Sequence, residues 1–136
     1  MIKYATLQAA QEGKVAPWDL EVPELSTQHM TVFRDRFPVT AGHLLFVPRN
    51  NTDEGIVVCL EIALITGQQM VARGECDAFN VGLNMGPAAG QTVMYPHVHL
   101  IPRKQGDCAD PVGGVRGVIA GQANYKTETY QQPKKY

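Results

Sequence analysis

The segment from Asp53 to Arg73 restricts the fold of this chain more than any other, because it carries a long helical periodicity. Its apolar residues recur at intervals of three, four and seven positions, namely at Ile56, Val57, Leu60, Leu64 and Val71. This spacing places them on one face of a helix. Thr52 is expected to cap the first turn, and Gly74 is expected to stop the last. The segment is therefore predicted to be one amphipathic helix.

The segments on either side of this helix have the composition of β-strands. Before it, residues 30–36 (MTVFRDR) and 43–48 (HLLFVP) are separated by a connection that contains proline and glycine, so they are expected to form two successive strands that pair antiparallel. After it, residues 78–84 (AFNVGLN) and Thr92 to Pro102 predict two more strands, with a turn of small residues between them. The order β-β-α-β-β predicts an α+β fold with the helix on one face of a sheet.

The length of the chain limits the number of domains. A chain of 136 residues that is 44% hydrophobic can form one domain with a core but is too short for two ordinary domains. We expect this domain at residues 1–120, followed by a polar tail at residues 121–136 that frays. Residues 1–28 are weakly patterned and predict a turn of helix and a short strand.

Charge and cysteine content disfavour several classes of protein. The 12 basic and 13 acidic residues give a net charge of -1, so no cationic face is expected for nucleic acid. The chain does not start like a secretory leader, and apolar runs such as Ile56 to Leu60 are too short to span a bilayer. The three cysteines are widely spaced and odd in number, which indicates reduced thiols. A cytoplasmic protein without a membrane partner is therefore expected.

Two histidines lie two positions apart in the last predicted strand. Side chains alternate along a strand, so Tyr95, His97 and His99 should share one face, while Val98 and Leu100 point to the other. Such a pair can consist of partly exposed histidines without a function. It can also bind zinc when a third ligand comes from elsewhere, and His43 is available for that role.

The residues before these histidines predict a phosphate pocket. Asn84 ends a predicted strand, and the glycine-rich turn at residues 86–90 permits close approach of the backbone to a ligand. Gln91 and Thr92 then supply amide and hydroxyl donors. A turn that offers polar groups and has few bulky side chains is typical of phosphate-binding sites.

Two stretches, NMGPAAGQTVMYPHVHLIPRKQGD and DRFPVTAGHLLFVP, resemble the histidine triad family. The likeness is greatest to its fragile-histidine-triad branch and to bacterial relatives that resemble diadenosine polyphosphate hydrolases, and it covers about residues 30–119. It implies an antiparallel sheet that continues across a homodimer, with the long helix near the subunit boundary. It also implies a purine nucleotide as substrate, bound by the domain at residues 1–120.

The resemblance also implies roles for individual residues. His97 matches the nucleophile that attacks the α-phosphorus, His99 matches a residue that contacts the phosphate oxygens, and His43 matches the histidine that supports the triad. The residues expected to bind substrate are Asp35 for the ribose and Asn84, Gln91 and Thr92 for the phosphate or leaving group. Apart from the resemblance, Phe33, Leu45 and Phe46 can form the wall of a base pocket, although apolar strand residues more often belong to the core. No cofactor or protein-bound metal is expected, although a polyphosphate substrate can carry Mg²⁺.

The sequence departs from the family pattern at Tyr95 and Pro96, where the first histidine of the triad and an apolar residue are expected. A tyrosine stays neutral near pH 7 because its pKa is about 10, so it can orient a partner but is a poor acid. The backbone carbonyl of residue 95 can still hold a proton on the ring of His97, so the nucleophile need not be lost.

Three functions are compatible with this pattern. The leading hypothesis is a nucleotidyl hydrolase or transferase that cleaves a dinucleoside polyphosphate or a nucleoside phosphoramidate through a nucleotidyl-histidine intermediate. The first alternative is a nucleotide-binding protein with little turnover, because Tyr95 replaces a histidine. The second is a metal-dependent hydrolase that uses His97, His99 and His43.

Overall fold

The computed structural model describes residues 3–133 and has the predicted α+β architecture. Its elements are, in order, α1 (Leu7–Glu12), β1 (Met30–Arg34), β2 (Leu44–Pro48), α2 (Asp53–Ala72), β3 (Ala78–Gly82) and β4 (Val98–Arg103). Short 3₁₀ turns occupy Pro87–Ala89 and Gly114–Val118. The order of the main elements after α1 is the β-β-α-β-β order that the sequence predicts.

The four strands form one antiparallel sheet in the order β1-β2-β4-β3. Phe33, Leu45 and His99 lie opposite one another across neighbouring strands and therefore share one face. Val32, Phe46 and Val98 form the adjacent row, which faces the other way and packs in the hydrophobic cluster under α2. Of the two interpretations of Phe46, the core position is therefore confirmed and the base pocket is wrong, since successive strand residues alternate in direction.

The bounds of helix α2 match the sequence prediction to within one residue, but three of the five apolar residues on the predicted face, Val57, Leu64 and Val71, are exposed. The hydroxyl of Thr52 accepts a hydrogen bond from the backbone N–H of Gly55 at 3.0 Å, and Arg73 forms the C-cap. A Cβ atom at Gly67 would lie 2.6 Å from the ring of Phe79, so a glycine lets the helix approach β3 closely. The helix buries a narrow strip of small side chains, among them Cys59, which is a free thiol like the other two cysteines.

Helix α2 is more apolar over its full length than expected from the sequence, where the uninterrupted apolar runs are too short to span a bilayer. Over an 18-residue window its mean hydropathy is 1.6, so by length and composition it could cross a membrane. The residues that interrupt the apolar runs are mostly uncharged, for example Gln68 and Gln69. The helix nevertheless packs on β2, β3 and β4, which is how the core helix of an α+β domain lies.

Strand ends differ from the sequence prediction near the histidines. Strand β4 begins at Val98 instead of Thr92, because Pro96 has no N–H to donate to a ladder. Strand β3 ends at Gly82, so Asn84 lies beyond it. In the described part of the N-terminal segment, the expected short strand is reduced to two isolated bridges, Thr6 with Asn50 and Glu21 with Phe33, whereas the expected turn of helix is present as α1.

The chain divides into two compact units between Arg103 and Lys104. Within the second unit, Arg116 donates hydrogen bonds to the carbonyls of Ala123 and Gln122, and its guanidinium lies 5.0 Å from the ring centre of Tyr125. These contacts hold part of the segment that the sequence predicts to fray. The domain boundary expected at residue 120 remains a prediction.

Candidate active site

A cavity of about 330 Å³ lies on the sheet face opposite α2 and brings together several predicted site residues. Its lining includes Asp35, Thr92, His97 and His99, together with Trp18 from the N-terminal segment. The size lies at the lower end of the range for small-molecule sites. These residues come from four separate parts of the chain, so only the fold makes them neighbours.

His97 is held by the backbone of its own strand. Its Nδ1 lies 2.7 Å from the carbonyl oxygen of Tyr95, which accepts a hydrogen bond and therefore fixes the ring proton on Nδ1. The side chain is buried, and burial lowers its pKa against the opposing effects of the Tyr95 carbonyl and the Asp35 carboxylate. At neutral pH the ring is uncharged and its Nε2 has a free lone pair.

His99 is held by a chain of hydrogen bonds that starts at the backbone. The N–H of Val39 donates to Nδ1 of His43 at 3.0 Å, so the proton of the neutral His43 ring lies on Nε2. That Nε2 lies 2.9 Å from Nδ1 of His99 and donates to it. His99 therefore carries its own proton on Nε2, where it can donate to a ligand.

The electrostatics of the site favour uncharged imidazoles. Burial and the neighbouring His97 and His43 lower the pKa of His99 to about 4. Burial also lowers the pKa of His43, although the Asp35 carboxylate opposes this effect. Oδ2 of Asp35 lies 3.5 Å from Nε2 of His43, and its side chain is partly buried. Near pH 7 the site thus holds one carboxylate and three neutral rings.

Within the described residues, one group of three could hold a metal ion, and it consists of Asp35, His43 and His99. It differs from the set proposed from the sequence, because it contains the carboxylate in place of His97. A metal at Nε2 of His43 requires the ring proton on Nδ1. The N–H of Val39 already donates to that Nδ1, so the hydrogen bonding of His43 opposes metal binding.

Tyr95 lies beside the site but does not line its cavity. Its hydroxyl donates to the carbonyl of Pro48 at 2.6 Å, and its ring is fully buried in a second hydrophobic cluster with Phe33 and Leu45. Burial raises the pKa of the phenol to about 12. The phenol is therefore a fixed, neutral anchor for the backbone carbonyl that holds His97.

Three other residues predicted to bind substrate do not line the catalytic cavity. The side chain of Gln91 accepts from the N–H of Gly86 at 2.8 Å and donates to the carbonyl of Val93 at 3.0 Å, so it closes the glycine-rich turn. Asn84 is partly buried and lines neither of the two described cavities. Phe33 is buried and lines a second cavity next to the first.

The sequence analysis missed Trp18. Its ring lies 4.8 Å from the ring centre of His97 and 6.0 Å from that of Phe33. It is the single tryptophan of the chain, and it follows a proline in a weakly patterned segment. A large aromatic residue in such a segment is a signal for a tertiary contact, but it does not indicate the partner.

Comparison with known proteins identifies the family. Residues 25–106, more than half of the chain, match the HIT domain. The adenylylsulfatase HINT3 of Arabidopsis thaliana is 37% identical over 82 residues, covering 54% of this chain and 41% of that protein. The asymmetrical bis(5'-nucleosyl)-tetraphosphatase of Schizosaccharomyces pombe is 30% identical over 91 residues, covering 62% and 50%. The chain thus spans about half the length of these relatives.

The fold agrees with this match. A Zn-bound histidine triad family protein from Mycobacterium smegmatis superposes with a TM-score of 0.62 over 77% of this chain and 79% of that chain. At 24% identity this likeness concerns the fold alone. The HIT domain match covers the four strands, α2, His99 in β4 and His97 just before it. The chain therefore belongs to the HIT domain family.

Proposed function

We propose that this protein hydrolyses or transfers a nucleotidyl group by cleaving the bond at the α-phosphate of a nucleotide, with His97 as nucleophile. The hydrogen bond from Nδ1 of His97 to the carbonyl of Tyr95 is the observation that carries this proposal. It leaves the lone pair of Nε2 free in a cavity that also contains Thr92, Asp35 and His99. A neutral, oriented imidazole is the form that can attack phosphorus.

The reaction proceeds in two displacements. Nε2 of His97 forms a bond to the α-phosphorus while the bond to the leaving oxygen or nitrogen breaks, and the leaving group takes the electron pair and a proton from solvent. Water then attacks the phosphorus, loses a proton, and breaks the phosphorus–nitrogen bond to release the nucleoside monophosphate. The Nε2–H of His99 and the hydroxyl of Thr92 would donate to the phosphoryl oxygens. The scheme needs no cofactor, and Mg²⁺ would enter only with a polyphosphate substrate.

Replacement of the nucleophile tests the mechanism. His97→Ala should abolish product release but keep nucleotide binding, because it removes little of the ribose or base contact. His29→Ala is the matched control, since His29 is exposed and lies outside the cavity. An alkali quench during turnover should trap a nucleotide on His97. Activity retained in His97→Ala, or an adduct on another residue, would reject this assignment.

A second candidate function is nucleotide binding with little turnover. It is favoured by the environment of Tyr95. Its phenol is buried and donates a hydrogen bond to the carbonyl of Pro48, and burial raises its pKa to about 12. Such a group cannot donate a proton to the leaving group. Product release from a panel of dinucleoside polyphosphates and adenosine phosphoramidates distinguishes the two candidates.

The substrate class rests on the relatives. One relative is named an adenylylsulfatase and another an asymmetrical tetraphosphatase, and both names describe hydrolysis of an anhydride bond of a nucleotide, to sulfate in the first and between phosphates in the second. We place this chain in the same reaction class, with a purine nucleotide as substrate, residues 1–120 as the nucleotide-binding domain and the cytoplasm as its location. Asp35 would accept hydrogen bonds from the ribose, while Phe33 would contact the base.

A homodimer is part of the same proposal. Val57, Leu64 and Val71 are exposed and lie seven positions apart along α2, so they form one apolar stripe. The sheet ends on one side at β3, which could pair with a second copy. Leu64→Glu should convert the dimer to a monomer in sedimentation velocity, whereas Gln69→Glu on the same helix should not. A wild-type monomer would contradict the proposal.

A further inference from the structure

The catalytic cavity of about 330 Å³ has few groups that could give a proton to a leaving group. A departing atom either takes such a proton or leaves as an anion. The hydroxyl of Thr92 and the indole of Trp18 line the cavity, but both are too weakly acidic to transfer a proton near pH 7. The ionisable lining residues are His97, His99, Asp35, Arg34 and the paired Asp19 and Arg36.

His97 and Tyr95 hold their protons in hydrogen bonds that point away from the leaving group. Nδ1 of His97 donates to the carbonyl of Tyr95 at 2.7 Å, and its Nε2 is the attacking atom. The hydroxyl of Tyr95 donates to the carbonyl of Pro48 at 2.6 Å, and the residue does not line the cavity. Neither side chain therefore has a proton for the departing atom.

The chain of hydrogen bonds behind His99 cannot replace a proton that His99 gives up. The N–H of Val39 donates to Nδ1 of His43, and Nε2 of His43 donates to Nδ1 of His99. The chain therefore starts at a backbone amide, which is a hydrogen-bond donor but not an acid near pH 7. If His99 lost its Nε2 proton, its ring would stay behind as an anion. His99 can thus donate a hydrogen bond to a phosphoryl oxygen but cannot transfer a proton.

Asp35 is an acceptor within this site. Its Oδ1 accepts from the N–H of Phe37 at 2.8 Å, and its Oδ2 faces Nε2 of His43 at 3.5 Å. Both oxygens face N–H groups, so the carboxylate has no proton to give.

Arg34, the last residue of β1, is the lining residue whose charge is not compensated. Asp19 pairs with Arg36, whereas no carboxylate among residues 3–133 forms an ion pair with the exposed Arg34. An arginine keeps its positive charge, and its planar fork of N–H groups fits the oxygens of a sulfate or phosphate. The cavity thus lacks a proton donor for the leaving group but has a cation for it.

We infer that Arg34 takes the place of a proton donor, so that the leaving group departs from the α-phosphorus as an unprotonated anion held by this guanidinium. Nε2 of His97 forms its bond to phosphorus, the bond from phosphorus to the bridging oxygen breaks, and that oxygen keeps the electron pair. A sulfate or phosphate can leave in this way, whereas the nitrogen of a phosphoramidate must first gain a proton. The inference rests on the proposed function and orders its substrates by the acidity of their leaving groups.

A series of leaving groups on the same nucleotide tests the inference in the wild-type protein. The para-nitrophenyl, para-chlorophenyl and phenyl esters of AMP differ in the acidity of the departing phenol. Without proton transfer, kcat/KM should fall by about a hundredfold or more from the first ester to the last. Adenosine phosphosulfate should react, and adenosine phosphoramidate should react more slowly by at least the same factor.

A flat series of esters, or a phosphoramidate rate equal to the phosphosulfate rate, would overturn the inference and leave the proposed function standing. Absence of turnover on every one of these substrates, by contrast, would reject the proposed function and the inference with it.

Substitutions of Arg34 test its role directly. Arg34→Gln should lower kcat/KM for adenosine phosphosulfate by about tenfold or more, and Arg34→Lys should restore part of the loss. Inhibition by inorganic pyrophosphate, which resembles the leaving anion, should weaken in Arg34→Gln while adenosine binding stays the same. Arg73→Gln is the control, because Arg73 pairs with Glu75 after α2 and lines neither cavity. Wild-type activity in Arg34→Gln, or an equal loss of pyrophosphate and adenosine binding, would overturn the inference.

Discussion

The two faces of the sheet use their side chains differently. The face under α2 buries a purely apolar cluster, which includes Val32, Phe46, Val98 and Leu100. The opposite face buries a smaller cluster, which includes Phe33, Leu45 and Tyr95, and also carries His97 and His99. We expect the first face to contribute to stability alone. On the second face, the packing that stabilises the fold also orients the reacting groups, so stability and activity should change together there.

Phe46→Ala tests the α2 face and should have the largest effect on stability. The side chain is fully buried, and removal of a buried aromatic ring costs about 3–5 kcal/mol through lost transfer energy and a cavity. Chemical denaturation measures the change in the free energy of unfolding. Below the unfolding transition the kcat should equal that of wild type. A loss of kcat in the folded variant would break the distinction between the faces.

Substitutions of Asp35 test the coupling at the edge of the site. Its Oδ1 accepts from the N–H of Phe37 at 2.8 Å, so the carboxylate supports a turn as well as the proposed ribose contact. Asp35→Ala should weaken ribonucleotide binding by about 1.5–3 kcal/mol, the range for hydrogen bonds to charged groups, and should affect dideoxy analogues much less. Asp35→Asn keeps an acceptor for the turn and separates the two roles. Equal losses for both ligands would make Asp35 purely structural.

Tyr95→Phe tests whether the anchor of His97 contributes to both stability and rate. The carbonyl of Pro48 loses its donor in a buried position, which should destabilise the fold by about 1–3 kcal/mol. The kcat should fall by about tenfold or less, because the backbone carbonyl that holds His97 remains. The exposed Tyr125→Phe is the control. A loss as large as that of His97→Ala would show that the phenol transfers a proton.

Acid should destabilise the protein through the site face. The unfolded histidines titrate near pH 6.5, but burial lowers the pKa of His43, His97 and His99 in the folded state, that of His99 to about 4. The unfolded state therefore binds more protons below about pH 6.5, and stability falls as the pH decreases towards 4. Thermal unfolding should show this slope, and His99→Asn should reduce it. Cys59→Ala, on the buried side of α2, should leave the slope unchanged.

Thr52→Ala should have the smallest effect, on the α2 face. The hydroxyl caps the helix by accepting from the N–H of Gly55, and loss of such a cap costs about 1 kcal/mol. The pH profile of kcat/KM should not move. A changed profile would mean that α2 is coupled to the histidines, contrary to the comparison of the two faces.

The fold was predictable where the signals are local. Helix α2 follows from the spacing of its apolar residues and from Thr52, and the first two strands follow from their composition. The start of β4 was not predicted, because alternation alone extends the strand through Pro96, which cannot donate to the ladder. The histidine pair was visible as a motif, and the proton of His97 is fixed locally by the carbonyl of Tyr95. The proton position of His99, by contrast, depends on Val39 and His43, which are distant from it in sequence.

The sequence by itself determined the order of the elements, the family resemblance and the candidate nucleophile, because periodicity and short motifs are properties of neighbouring residues. Only the tertiary structure decided which groups meet. In the folded chain the ring of Trp18 lies against that of His97, the hydroxyl of Tyr95 donates to the carbonyl of Pro48, and a second cavity lies beside α1. These contacts join segments far apart in the chain, and they form because packing two clusters on opposite faces of one sheet leaves each segment a single well-packed position.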